Sequence, residues 1–288
     1  MKNGTCAGPD KINAELLKNG PPELYELITK LLAEAWITNT VPTDWLTTNQ
    51  VPLPKTPHPR TVDDFRRITI SSAMYKVYAT FLMQQLQRYL PDISSYQAGF
   101  LPNRSTDDHV FTLRRLCEER WRMGLPTFIL SIDLRKAFDM VNTHALGPAL
   151  HEKGVPAYLV NRIIGSILHE QTFIRWGGKC TNVHSRAKGV KQGCPTSILL
   201  RVSETTKLDL NLLNFDLPLL LAYADDLIVV GDSLNSLERP LAALITELQA
   251  FGLTINEKKC SILIRDPLQL VPPTGNITVT YQPASKPI

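Results

Sequence analysis

An α+β fold, with an antiparallel sheet flanked by helices, is what this 288-residue chain predicts. Three observations carry the prediction. Stretches of helical and strand character alternate without the steady βαβ rhythm of a doubly wound sheet. Two segments, 171–187 and 217–230, read as hairpins, and hairpins make antiparallel neighbours. Hydrophobic residues are 43% of the chain and charged residues 20%, the balance of a globular protein with material for a sizeable core.

Residues 20–36 and 72–90 have the periodicity of amphipathic helices. In the second, Met74, Val77, Tyr78, Phe81, Leu82 and Leu86 recur at helical spacing and Pro91 stops the run. Between them lies VPLPKTPHPR, residues 51–60. Its four prolines predict an extended loop outside regular structure, carrying Lys55 and Arg60. Residues 106–123 make a third helix. Thr106 is the expected N-cap, Asp107 and Asp108 suit the positive helix end, and Gly124 closes it. Val110, Leu113, Leu116 and Trp121 mark the side expected to be buried.

TFILSIDL, residues 127–134, reads as a buried strand, and 156–170 as a helix. Residues 171–187 read as a hairpin turning at Gly177–Gly178, and 217–230 as two strands meeting near Asp225 and Asp226. Residues 234–251 form a helix whose core face carries Leu234, Leu237, Leu241, Leu244, Leu248 and Phe251, with Gly252 as its C′ residue. Pro240 lies inside that pattern and predicts a helix start near itself. A short strand, 259–264, follows. After Pro267 the proline content rises and periodicity fades, which predicts an irregular tail.

A net charge of +4 permits a nucleic-acid partner without requiring one. Five scattered cysteines with no CxxC pair argue against a disulfide scaffold and fit a reducing compartment. Cys180 and His184 are spaced loosely like metal ligands, but no second pair follows, so they read as a coincidence of a loop. The N-terminus lacks an apolar h-region, and no apolar run reaches the ~18 residues that span a bilayer. The expectation is a soluble, intracellular protein with no membrane partner.

The unusual chemistry lies in LLLAYADDLIVVGD, residues 219–232. Two adjacent aspartates, Asp225 and Asp226, interrupt the most apolar stretch of the chain. A solvated turn is one reading, since aspartate is a good turn residue. Tight hairpins, however, prefer Asn-Gly or Asp-Gly, and here no glycine follows until Gly231. A buried unpaired carboxylate costs several kcal/mol, and adjacent carboxylates repel. A divalent cation relieves both. LSIDLRKAFDMV, residues 130–141, adds Asp133 at the end of an apolar strand, with Asp139 six residues on. If that strand pairs with the 217–224 arm of the hairpin, Asp133 faces Asp225 across a gap of ~4.8 Å. Oxygen ligands of that kind suit Mg²⁺, and two ions ~3.5–4 Å apart serve in-line phosphoryl transfer.

At these residues the chain resembles the reverse transcriptases of the non-LTR retrotransposon group. YADD resembles their metal-binding turn, SIDLRKAFDMV their first aspartate motif, AGFLPNRST the segment before it and GVKQGCPTS their substrate-facing glycine loop. GPDKINAELLK, PLPK and DDFRRITISSAMYKVYA resemble the fingers motifs, and FGLTINEKKCSIL the closing palm motif. The likeness runs in order from about residue 8 to 265. It implies a right-hand polymerase: fingers over 1–126, a palm over 127–265 with an antiparallel sheet, and an irregular tail over 266–288 in place of a helical thumb.

The resemblance implies RNA-directed DNA synthesis. The partners would be an RNA template, a DNA primer and dNTPs, and the cofactors two Mg²⁺ ions, with Mn²⁺ as a substitute. Asp133 and Asp225 would be the principal metal ligands, with Asp226 assisting, because successive strand residues face opposite ways. Lys55 and Arg66 would hold the triphosphate. Phe138 would lie under the incoming sugar and reject a 2′-hydroxyl. Gln192 and Gly193 would face nucleotide and template, where glycine lets the backbone approach closely. Lys259 would neutralise or protonate the leaving group.

Three departures from the family pattern are legible. Arg67 stands where proline usually follows the first arginine. The run from Gln192 to Asp225 is shorter than in the group and polar from Arg201 onward. The proline-rich tail after residue 265 is not expected to supply the helical thumb, and no endonuclease, RNase H or zinc-knuckle pattern is read in the sequence. They sustain a second reading, a non-catalytic remnant that at most binds nucleic acid. A nucleotide cyclase, a third reading, needs no template-facing loop.

Overall fold

The computed structural model describes residues 1, 3–89, 98–99, 104–185, 188–191, 217 and 219–267. The chain divides into two compact units, each discontinuous in sequence. One comprises Met1–Pro91 with Thr143–Leu199, and the other Asp92–Asn142 with Leu200–Ile288.

The first unit is built on β1 (Thr47–Pro54), β2 (Phe65–Ser71) and β4 (Gln171–Trp176). β1 lies in the middle, antiparallel to β2 and parallel to β4. The sequence predicted a loop from Val51 onward, and the structure corrects this. The amide of Lys55 donates to the carbonyl of Asp64 on the β2 side at 2.7 Å. Alternate residues of a strand bond to alternate sides, so Val51, Leu53 and Lys55 face β2. Pro52 and Pro54 then turn their missing N–H groups to the other side. There pairing with β4 ends at Gln50↔Ile174, one residue before the first proline.

β4 continues into β5 (Lys179–Cys180) through Gly177 and Gly178, both at positive φ as a tight hairpin demands. β6 (His184–Ser185) also pairs with β4. Among the described residues the helices of this unit are α1 (Ala14–Lys18), α2 (Pro22–Thr38), α3 (Thr43–Leu46), α4 (Ala73–Gln87), α7 (Thr143–Glu152) and α8 (Ala157–Leu168). Tyr75, Tyr78, Ala79, Leu82 and Leu86 of α4 are buried, as are Leu159, Val160, Ile163 and Ile167 of α8. α7 has no counterpart in the sequence reading. Gly147 and Pro148 lower the helical signal there, yet Leu146, Ala149 and Leu150 are buried as α7 packs on α8.

The second unit is a four-stranded antiparallel sheet in the order β7-β8-β3-β9. Its strands are β3 (Thr127–Asp133), β7 (Leu219–Tyr223), β8 (Asp226–Gly231) and β9 (Ser261–Arg265). α5 (Thr106–Arg122) packs Leu113, Leu116 and Cys117 against Ile129, Leu221, Ile228 and Val230. Of the side chains expected inside, Val110 and Trp121 are exposed, and Trp121 lies under the Arg265 guanidinium at 4.7 Å. Ser105, not Thr106, is the N-cap: its hydroxyl accepts from Asp107 N–H, while Asp108 accepts from Ser105 N–H.

α6 (Ala137–Met140) follows β3, and α9 (Leu234–Ala250) packs on β8. α9 runs through Pro240 instead of starting at it. Ser233 caps it, Pro240 is buried with the Leu237, Leu241, Leu244 and Leu248 stripe, and Gly252 follows at φ +73°. The tail from residue 268 lies outside the described residues.

Candidate active site

The three acids of the second unit meet at one end of its sheet. β3 and β8 run in unbroken register from Phe128↔Gly231 to Asp133↔Asp226. The partner of Asp133 is therefore the second arm of the hairpin, and the residue directly opposite is Asp226. The sequence reading had placed Asp225 there. Asp225 instead occupies the two-residue turn between Tyr223 and Asp226, which close the β7–β8 ladder. Side chains alternate faces along a strand and match across a ladder. Ile129, Ser131 and Asp133 thus share a face with Val230, Ile228 and Asp226. α5 covers the apolar end of that face. At the other end Ser131 and Asp226 are exposed and Asp133 is half-buried. One face is greasy where a helix sits and acidic where none does.

Asp225 is half-buried beside these two carboxylates. Burial pushes its carboxyl pKa above the ordinary value, and the charges of Asp226 and Asp133 push the same way, opposed by a backbone hydrogen bond at Asp225. The turn reaches this arrangement by placing Ala224 at φ +54°, a left-handed conformation at a position where tight hairpins favour glycine.

The segment after α9 closes on Asp133 from the side. Leu134 bridges to Ile255, and Arg135 N–H donates to Thr254 O at 2.8 Å. Asn256 N–H donates to the Asp133 carbonyl at 2.8 Å, and its side-chain amide donates to Asp133 Oδ2 at 3.0 Å. Lys259 Nζ stands 3.7 Å from the same oxygen, mostly exposed. Phe138 lies half-buried in α6. Sequence reasoning passed over Asn256, although it stands three residues before Lys259 in the closing motif.

Lys55 and Arg66 belong to the other unit, in its β1–β2 region. Lys55 is exposed, its ammonium donating to the Asp63 carbonyl at 2.9 Å. Arg66 is exposed opposite Leu53, and Arg67, also exposed, is opposite Pro52. Gln192 and Gly193 lie outside the described residues. Their neighbour Lys191 is buried, with Nζ 3.5 Å from the Tyr75 ring centroid and 3.8 Å from Glu170 Oε1. Among the described residues no three His, Cys, Asp or Glu side chains close into a metal-holding cluster. No described helix is long and apolar enough to cross a membrane.

The family described as Reverse transcriptase (RNA-dependent DNA polymerase) matches residues 53–281, a span that includes both the exposed basic pair and the acidic hairpin. The chain belongs to the reverse transcriptase family. Among curated proteins, this reverse transcriptase chain is 28% identical over 230 residues to the Retrovirus-related Pol polyprotein from type-1 retrotransposable element R2 of Popillia japonica. It is 29% identical over 232 residues to the Transposon TX1 uncharacterized 149 kDa protein of Xenopus laevis. Each match covers 76% of the chain, but only 32% of the first relative and 18% of the second. The R2 likeness places the chain in the non-LTR retrotransposon group. Apo telomerase from Candida tropicalis, truncated from its C-terminal domain, superposes with a TM-score of 0.57 at 16% identity, over 83% of this chain and 55% of that one. The fold is the α+β fingers-and-palm fold of these polymerases.

The donor set of the reverse transcriptase chain suits a hard divalent cation. Three carboxylates gather there, and Asp225 resists ionisation, first through burial and then through the charges of Asp226 and Asp133. The absence of a closed three-ligand cluster is compatible with Mg²⁺, which keeps several waters and takes further oxygens from substrate phosphates.

Proposed function

We propose that this chain forms the fingers and palm of an RNA-directed DNA polymerase, extending a DNA primer 3′-hydroxyl on an RNA template with dNTPs. The observation that carries the reading is the register Asp133↔Asp226 at the tip of an acidic hairpin, inside a match to the reverse transcriptase family. The unit holding that hairpin is read as the palm.

Asp133, Asp225 and Asp226 would hold Mg²⁺ or Mn²⁺, in the family's usual complement of two ions. Bound there, the cations would favour ionisation of the primer hydroxyl and offset charge on the triphosphate and departing pyrophosphate. The chain's own residues would do the rest. Lys55 and Arg66, exposed in the β1–β2 region, would grip phosphate oxygens, the arginine with two parallel N–H bonds. Phe138 would close the space beneath the sugar to a 2′-hydroxyl. Gln192 and Gly193 would face base and template. Lys259 would neutralise or protonate the leaving pyrophosphate. Most of the rate would come from positioning and fixed charge.

The test is extension of a DNA primer annealed to RNA, with dNTPs and Mg²⁺, comparing wild type with Asp225→Ala. Incorporation by wild type that the variant loses by at least about a hundredfold supports the polymerase. A wild type that incorporates nothing above the variant, yet binds primed RNA in a salt-sensitive way, is the nucleic-acid-binding remnant instead.

A further inference from the structure

We infer that Asn256 is a positioning residue that orients the Asp133 carboxylate toward the cation and sets Lys259 beside it. The inference rests on the polymerase reading above and concerns a residue outside the acids and bases already assigned.

Asn256 meets Asp133 twice, through backbone N–H to backbone carbonyl at 2.8 Å and through side-chain amide to Oδ2 at 3.0 Å. The first contact fixes the chain beside the end of β3. The second fixes the rotation of the carboxylate. An aspartate at a strand end otherwise turns freely about its last torsion, and a cation must then pay for ordering it. The amide also selects an oxygen: both it and the Lys259 ammonium lie on Oδ2.

The same residue places Lys259. Asn256 O accepts from Lys259 N–H at 2.9 Å and from Cys260 N–H at 3.3 Å, closing the 3₁₀ turn Glu257–Lys259. That turn brings Lys259 Nζ to 3.7 Å from Asp133 Oδ2. The lysine is mostly exposed, and an exposed pair at that distance contributes too little to hold itself in place. The turn holds it instead. One residue thus contacts both the Asp133 carboxylate and the backbone turn that carries Lys259. Partners that orient a metal-binding carboxylate in this way typically change metal affinity or activity by about 10–100-fold when removed.

The test uses the full chain and Mn²⁺ alone, with no nucleic acid or nucleotide. Free Mn²⁺ is followed by its electron paramagnetic resonance signal for wild type, Asp225→Ala, Asn256→Leu and Asn256→Ser. Leucine keeps the volume without the donor, and serine is a second variant should leucine fail to fold. Both retain every backbone bond of Asn256. The expected result is Mn²⁺ binding at least about tenfold weaker in the Asn256 variants, with circular dichroism and melting temperature as in wild type. Binding that Asp225→Ala weakens and the Asn256 variants leave unchanged overturns the inference and spares the polymerase reading. A wild type that binds no Mn²⁺ without nucleotide also overturns the inference, while the polymerase reading stands or falls on primer extension. In primer extension the expected signature is a raised requirement for Mg²⁺ with the KM for dNTP unchanged.

Discussion

Ala224 carries a backbone conformation that glycine would adopt without strain. At φ +54° its Cβ crowds the following carbonyl, a penalty of ~1–2 kcal/mol. Ala224→Gly removes that penalty and adds ~0.4–1 kcal/mol of unfolded-chain entropy. The expected net gain is about 0–1.6 kcal/mol, read as a denaturant midpoint equal to or above that of wild type, and a lower midpoint would show the turn to be unstrained. Asp225 bears on stability through protonation. Its folded pKa is raised, first by burial and then by Asp226 and Asp133, so the folded state holds its proton more tightly than the unfolded chain does. Stability from this group is full below the ordinary aspartate range and is lost as pH rises through the folded value. Asp225→Asn should therefore melt higher than wild type at neutral pH in metal-free buffer. The gap should close as pH falls below the ordinary aspartate range, and a gap that widens in acid would contradict the burial argument.

Elements that announce themselves by one clean period were legible. The apolar arms of the hairpin, the α9 stripe and its Gly252 terminus follow from side-chain alternation and helical spacing. Elements whose signal is overridden by packing were not. Gly147 and Pro148 hid α7, and the prolines of β1 concealed a strand because only ladder register shows which side lacks a donor. The register of β3 was equally out of reach: alternation says which residues share a face, not which arm of a hairpin lies alongside. That is why Asp226, and not Asp225, stands opposite Asp133. The packing of α9 on β8 makes a prediction at this scale. A Cβ on Gly231 would press on Ser236 Oγ and come within 2.8 Å of Leu237 Cδ2. Ser236 cannot swing away cheaply, since its hydroxyl accepts from the amides of Asp232 and Ser233. Gly231→Ala should destabilise by ~1–3 kcal/mol, measured by denaturant titration.

Across the whole molecule, which stretches share a unit is decided by contacts between distant segments, and local pattern does not reveal them. The acids and Lys259 belong to one unit and Lys55 with Arg66 to the other, and Thr143–Leu199 joins Met1–Pro91 across the intervening chain. The first unit has its own charged core. Glu170 Oε1 accepts from Thr48 Oγ1 at 2.8 Å and lies 3.8 Å from Lys191 Nζ, with both charged side chains almost wholly buried. Glu170→Ala leaves the lysine charge in the core without its carboxylate and should cost ~3–5 kcal/mol. An exposed surface pair would lose under ~1 kcal/mol, so a chemical-denaturation difference that small would place this pair in water.

The prolines of β1 have a consequence for the molecule among its own copies. Beyond Gln50, β1 turns one side away from any described strand. An open strand edge is a template on which a second chain can add a strand and seed aggregation. Here the two residues that would offer N–H groups to such a visitor are Pro52 and Pro54, and neither has one to give. The same absence that ends the pairing with β4 leaves the edge without donors, so this sheet can stop in the open without inviting another molecule to continue it.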